Sequence, residues 1–344
     1  MRVLDIAARA LVLAGTAWLL SGCSTWRTSL LNWRLGLDPA SAQQAVDPGV
    51  QRQMEPLYAR GAAALLNNDL DAAIAAWREY SAIAPVHLAQ TKRVRGYLTL
   101  LERQAAQRFA KQAAAREGST TYAPSDRLHV AVFPFHNPGA ASANFDRALV
   151  AMITTDLVKV PALTVLERAK IDYLLQELKL GASGLMDPST LGGPGGLLSA
   201  GTVIVGSVHS EAGPAGPGSG RYKINTAVSN VNDQRVIGTQ EADGRQADFY
   251  LLQKRIVYGI LDTLGIKELP ASVHKVHTRS WAAYARFAAG LELLAQDRFD
   301  EARQAFYAAL TFDPEFDLAR EAFLNTPATG TTLEDIRQAS RARP

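Results

Sequence analysis

The 344-residue chain is 47% hydrophobic and carries a formal net charge of +3. That balance belongs to a globular protein and excludes both a disordered polyelectrolyte and a basic nucleic-acid coat. The length allows two or three compact units, each with its own core, and a single cysteine excludes an internal disulfide.

Arg2 and Arg9 stand in a short basic start, and Ala10 to Leu20 is an apolar run. The run has the length of a signal-peptide h-region and is too short to span a bilayer as a mature helix. It ends in Leu20-Ser21-Gly22-Cys23, which looks like a bacterial lipobox. Residues 1–22 are therefore expected to be a lipoprotein signal peptide, cleaved between Gly22 and Cys23. The Cys23 thiol would carry diacylglycerol, and N-acylation would add a third chain, which satisfies the two-signal rule for stable anchoring. A lone cysteine is ordinarily a small buried hydrophobe, but its place right after the h-region favours lipidation. Ser24 at the next position, where Asp would retain a lipoprotein, points to the periplasmic face of the outer membrane.

Residues 23–50, with Pro39, Pro48 and polar spacers, read as a tether with a short helix around Leu30 to Leu35. Trp26 and Trp33 could sit at the lipid interface or pack on the protein. Residues 51–117 are helical and open with half of a repeat. Gly61, Ala73, Trp77 and Pro85 have spacings of 12, 4 and 8, and Gly290, Ala302, Phe306 and Pro314 reproduce them 229 residues later. This pattern resembles the tetratricopeptide helix–turn–helix: small residues where two helices touch, a bulky ring on the second helix, and Pro after it. One such hairpin cannot bury its own apolar face. Each copy must borrow a neighbour: the next helix, the central domain, the other copy or another subunit. From Val86 to Glu117, Lys92, Arg93, Arg95, Arg103, Arg108, Lys111 and Arg116 outnumber Glu102 and Glu117. A basic face for lipid headgroups or an acidic partner is one reading. A solvated helix that links two domains is the plainer one and is preferred. Residues 118–127 form a Ser/Thr/Pro linker.

Residues 128–266 form the central unit. Leu128 to Phe135, Leu163 to Leu166 and Gly201 to Val208 are short apolar runs of the kind buried in a sheet. Between them, Phe145, Leu149, Met152, Ile153 and Leu157, then Ile171, Leu174, Leu175 and Leu178, have helical spacing. Strand, helix, strand, helix, strand implies right-handed crossovers and a partly parallel sheet. Tyr222, Ile224, Thr226 and Val228 alternate with Lys223, Asn225, Ala227 and Ser229, as in a strand with one wet face, and Val236 to Thr239 returns as its hairpin partner. Phe249, Leu252, Ile256 and Ile260 make the stripe of a closing helix. Residues 267–277 read as a second linker, and 278–344 as a second helical segment whose polar tail frays after one last helix beyond Pro327.

Ala151-Met152-Ile153-Thr154-Thr155-Asp156-Leu157, Leu163-Thr164-Val165-Leu166-Glu167-Arg168 and Gly201-Thr202-Val203-Ile204-Val205-Gly206-Ser207-Val208 together resemble the CsgG-like family of curli-secretion lipoproteins. The resemblance implies an α/β fold: a CsgG-like mixed-sheet domain between α-helical, tetratricopeptide-like segments. It implies export or envelope assembly and carries over no catalytic residue. Channel-forming members insert long amphipathic hairpins that combine into a barrel, whereas Ser210 to Gly220 is a short Pro/Gly run and Gly238 to Phe249 is polar. The pore is therefore not expected.

No motif in the chain supports catalysis. Gly192-Gly193-Pro194-Gly195-Gly196 lacks the Lys-Ser/Thr of a phosphate-binding loop and reads as a loop bend. His274-x-x-His277 has no Cys or carboxylate at ligand spacing, and His129 and His136 have no nucleophile motif beside them. Glu167-Arg168 reads as a structural pair, its carboxylate favoured by a helix N-terminus. The expectation is a non-enzymatic accessory or scaffold lipoprotein, with no cofactor, no metal and no nucleic acid. Its partners would be the membrane, through the anchor, and envelope or secretion proteins, through the arms. A homo-oligomer stays open, as do a curli-type channel component and a periplasmic ligand-binding sensor that uses the crevice at the strand C-termini.

Overall fold

The computed structural model describes residues 28–38, 40, 44–117, 126, 128–137, 145–181, 188–211 and 220–342. The first helix, α1 (28–34), turns Leu31 inward, with Leu35 just after it, and both are buried in the main core. Its Asn32 Oδ1 accepts from the Tyr307 hydroxyl at 2.9 Å, and Arg34 pairs with Glu315. Lys92 Nζ donates to Gly36 O at 2.5 Å. The part of the expected tether over 28–38 is thus fastened to the folded body, while Trp33 remains half-exposed.

α2 (Pro48–Leu66) starts where its sequence says it should. Pro48 occupies the first turn, and the Asp47 carboxylate accepts from the Gly49 and Val50 amides at 2.7 and 3.1 Å. α3 (Leu70–Ile83), capped by Asp69, returns against it. The two approach closely because Gly61 has no side chain: a Cβ there would lie 2.2 Å from Trp77 Cδ1. The indole Nε1 donates to Tyr58 O at 3.2 Å.

α4 (Ala89–Ala114) is not a solvated connector. Its alanine stripe, Ala106, Ala110 and Ala113, is fully buried. Several of its cations are engaged: Arg95 with Glu321 at 2.9 Å and Asn325 at 3.1 Å, Arg103 with Asp297 and Leu294 O, and Arg108 with Asn68. The solvated-connector reading is corrected: these partners lie outside α4, which a local count of charges does not show.

The strands β1 (His129–Val132), β2 (Thr164–Val165), β3 (Thr202–Glu211), β4 (Arg221–Asn230) and β5 (Arg235–Arg245) form one sheet, ordered β2–β1–β3–β4–β5. β1 is parallel to β2 and β3, and the β3–β4 and β4–β5 pairs are antiparallel. α5 (Phe145–Val158) connects β1 to β2, and α6 (Arg168–Glu177) followed by α7 (Pro188–Leu197) connects β2 to β3. After β5 and a 3-10 turn at 246–248, α8 (Phe249–Thr263) packs on β4, β5 and α5. α5 and α8 cover one face with Val130, Val132, Ile204, Val208, Ile224 and Val228. The other face carries Ala131, Phe133, Val203 and Val205, which pack with residues of α6, α7 and the end of α4. Toward β5 that second face is polar, as the alternation in β4 requires.

The Gly192–Gly196 stretch is helical, which corrects the loop bend. A Cβ on Gly195 would stand 2.7 Å from Val231 Cγ2 and 3.2 Å from Val203 Cγ2. Burial of a side-chain-free helix surface on the sheet overrides a composition that disfavours helix.

Within 267–277 lies α9 (Ala271–His274), whose Val273 is buried. α10 (Trp281–Ala295) and α11 (Phe299–Phe312) repeat the first hairpin's contact, with a Cβ on Gly290 falling 2.4 Å from Phe306 Cε1. α10 docks on the central unit through rings: Phe145 lies 4.4 Å from both Trp281 and Tyr284, and the Tyr284 hydroxyl donates to Phe145 O at 2.7 Å. α12 (Asp317–Asn325) packs on α4. The one last helix expected beyond Pro327 is α13 (Leu333–Arg341), opened by a Thr332/Asp335 capping box, and it buries Ile336 in the core of the N-terminal hairpin. Among the described residues no helix is long and apolar enough to cross a membrane.

Candidate binding cleft

Gly22 and Cys23 lie outside the described residues, as do Trp26 and 212–219 of the expected Pro/Gly loop. The other residues singled out by the repeat do meet in pairs. Gly61 faces Trp77 and Gly290 faces Phe306, with Ala73 and Ala302 fully buried beside them. Pro85 follows α3, and Pro314, which follows α11, offers its carbonyl to Arg34 at 3.5 Å. The glycines, alanines and rings are packing positions inside each hairpin.

The two histidines of His274-x-x-His277 face different partners. His274 Nδ1 is 3.0 Å from the Tyr258 hydroxyl, and His277 Nε2 is 3.0 Å from Asp156 Oδ1 in the interior. Among the described residues no group of three His, Cys, Asp or Glu stands where it could hold a metal ion. Glu167 precedes α6 but makes no capping bond. Its carboxylate instead meets Arg78 at 3.2 Å and Lys170 at 3.4 Å. Burial works to raise its pKa, and the two cations overcome this and hold it below the ordinary value.

Asp156 is the polar centre of the interior, and sequence reasoning passed over it. Its carboxylate is fully buried, with Lys254 Nζ at 2.6 Å, Gln253 Nε2 at 2.9 Å and Lys159 Nζ at 3.0 Å, besides His277. Lys254 also donates to Val273 O at 2.6 Å and Lys159 to Ser272 O at 3.3 Å, so the cluster fastens the 271–277 segment to α5 and α8. Burial pushes the Asp156 carboxyl up, but its contacts with His277, Lys254 and Gln253 hold it well below the carboxylate range. The available signal was an acid at i+4 from Met152 and i+3 from Ile153, inside the apolar stripe of α5.

A cleft of about 530 Å³ opens where α5, α6, α10 and α4 meet beyond the C-terminal end of β1. Pro134, Ala151, Leu291, Leu294 and Ala295 give it apolar walls, and Arg103, Arg147 and Arg168 give it charge against a single lining carboxylate, Asp172. Arg168 donates to Asp172 Oδ2 and to Arg147 O, each at 3.3 Å. The cleft lies where ligands enter open α/β sheets, outside the carboxyl ends of parallel strands. Its three arginines come from three helices, so no sequence motif announces it.

The family model described as curli production assembly/transport component CsgG matches residues 111–237, from the last turn of α4 into β5. The chain therefore carries a CsgG-family domain. Among solved structures, the LpoB C-terminal domain from Salmonella enterica is similar at 14% identity over 41% of this chain and 95% of that one, with a TM-score of 0.27. No curated protein matches the chain.

Proposed function

We propose that the protein is a non-enzymatic accessory or scaffold subunit for export or assembly of envelope material. On this reading it is held at the periplasmic face of the outer membrane by acyl chains on Cys23. The observation that carries the reading is a CsgG-family domain whose sheet continues directly into α8. β5 passes through only the 3-10 turn at 246–248 before α8 begins, so one site expected for a barrel hairpin is occupied by the sheet's own edge strand. The other, 212–219, is eight residues long. Two spanning strands would need about 9–11 residues each.

The flanking hairpins are read as tetratricopeptide-like arms for envelope or secretion proteins. The repeated Gly–ring contact at Gly61/Trp77 and Gly290/Phe306 supports that reading. Their apolar faces are covered within the chain, by α4 and α13 on one side and by α5 and α12 on the other. Partners would therefore meet the outward polar faces.

Metabolic labelling with a radioactive fatty acid tests the anchor. The wild-type chain should be labelled and should sediment with outer membranes, and Cys23→Ser should be unlabelled and soluble in the periplasm. Equal labelling of the two would contradict the proposal.

A further inference from the structure

Arg147 stands in the first turn of α5 with its guanidinium in the cleft. A guanidinium presents five N–H donors in a planar fork. Yet this one donates no hydrogen bond to a described residue. Glu292 Oε2 is 3.3 Å from its Nε and Asp172 Oδ2 is 3.9 Å from its Nη1, both as ion pairs alone. Arg168 and Arg103, by contrast, are held by hydrogen bonds to Asp172 and to Asp297. The side chain of Arg147 is about two-thirds removed from water, at 33% exposure. The fork is thus positioned and partly desolvated, with no hydrogen bond donated to a described residue, beside the hydrocarbon of Ala151, Leu291, Leu294 and Ala295.

We propose that this cleft binds a small ligand that presents an oxyanion, carboxylate or phosphate, to Arg147 and an apolar group to the wall formed by Ala151, Leu291, Leu294 and Ala295. The volume falls within the range of about 300–1,000 Å³ typical of small-molecule sites. An Arg fork matches planar carboxylate and phosphate oxygens with two parallel hydrogen bonds, which an uncharged ligand cannot accept as strongly. The ligand's anion displaces Glu292 from Arg147, so Glu292 is a built-in competitor. The inference does not depend on the Cys23 anchor, and failure of either leaves the other standing.

The test uses the purified full chain in a neutral detergent, with ligand-observed NMR titrations. The probes are N-acetylleucine and phenyl phosphate, and the uncharged N-acetylleucinamide is the control. At least one anion should bind, with the amide weaker by about tenfold or more, as expected for loss of one charge-assisted contact. Arg147→Gln should weaken the anion by a similar factor, and Glu292→Gln should tighten it, a gain that mere structural damage would not produce. Binding of N-acetylleucine alone would identify a carboxylate ligand, and binding of phenyl phosphate alone a phosphate ester. If Arg147→Gln does not fold, Leu291→Glu, which sets a carboxylate against the apolar wall, should weaken the same anion. The proposal is overturned if neither anion binds, if the amide binds equally well, or if the folded variants bind unchanged.

Discussion

Replacing Asp156 by alanine should destabilise the fold by roughly 3–5 kcal/mol, because it leaves the nearly buried Lys254 ammonium without its counter-ion. The loss extends further, since Gln253, Lys159 and His277 converge on the same carboxylate. The α9 segment, held through Val273 O and Ser272 O, should loosen first. The pH dependence separates charge from shape. The folded carboxyl is held well below its unfolded pKa of about 3.9. Its contribution is therefore complete above that pKa and is lost as the pH falls toward the folded value. Urea unfolding at pH 7 and at about pH 2, well inside that window, should show a steep acid loss in the wild type and a shallower one in Asp156→Asn. Parallel acid losses in the two would show that the buried carboxylate is not ionised in the fold.

Phe306→Ala should cost about 3–5 kcal/mol, the range for a fully buried ring whose site cannot collapse. The ring fills the space left by Gly290 and stands 5.8 Å from the Phe287 ring. Trp77→Ala should act similarly on the N-terminal hairpin and expose the Tyr58 carbonyl bonded to its indole. Gly290→Ala should also destabilise, since the added methyl must displace the Phe306 ring. A loss below about 1 kcal/mol for Phe306→Ala would mean that the ring does not organise the arm.

What the sequence made legible was local. Apolar runs bounded by Gly and Pro located β1, β2 and β3, and the alternation from Tyr222 to Ser229 told which face of β4 is wet. The repeated spacing marked Gly61, Ala73 and Trp77, and Gly290, Ala302 and Phe306, as small residues and a ring at a helix–helix contact, and the Gly61/Trp77 and Gly290/Phe306 contacts lie there. What stayed hidden depends on distant partners. The charges of α4 looked solvent-facing because Glu321 and Asp297 lie 226 and 194 residues away. α7 was missed because its glycines gain from contact with Val203 and Val231, which no propensity encodes. The cleft draws Arg103, Arg147 and Arg168 from separate helices, and Asp156 draws its partners from α8 and from the segment after it.

The central proposal is that the CsgG-family domain of this chain serves as a lipid-held scaffold and does not form a pore. Planar-bilayer recording with the purified, acylated full chain tests it most directly. The account predicts an unchanged baseline, at protein densities where a curli-type channel would give discrete steps. Stepwise conductance that appears with the wild-type chain and is absent with buffer and detergent alone would contradict it.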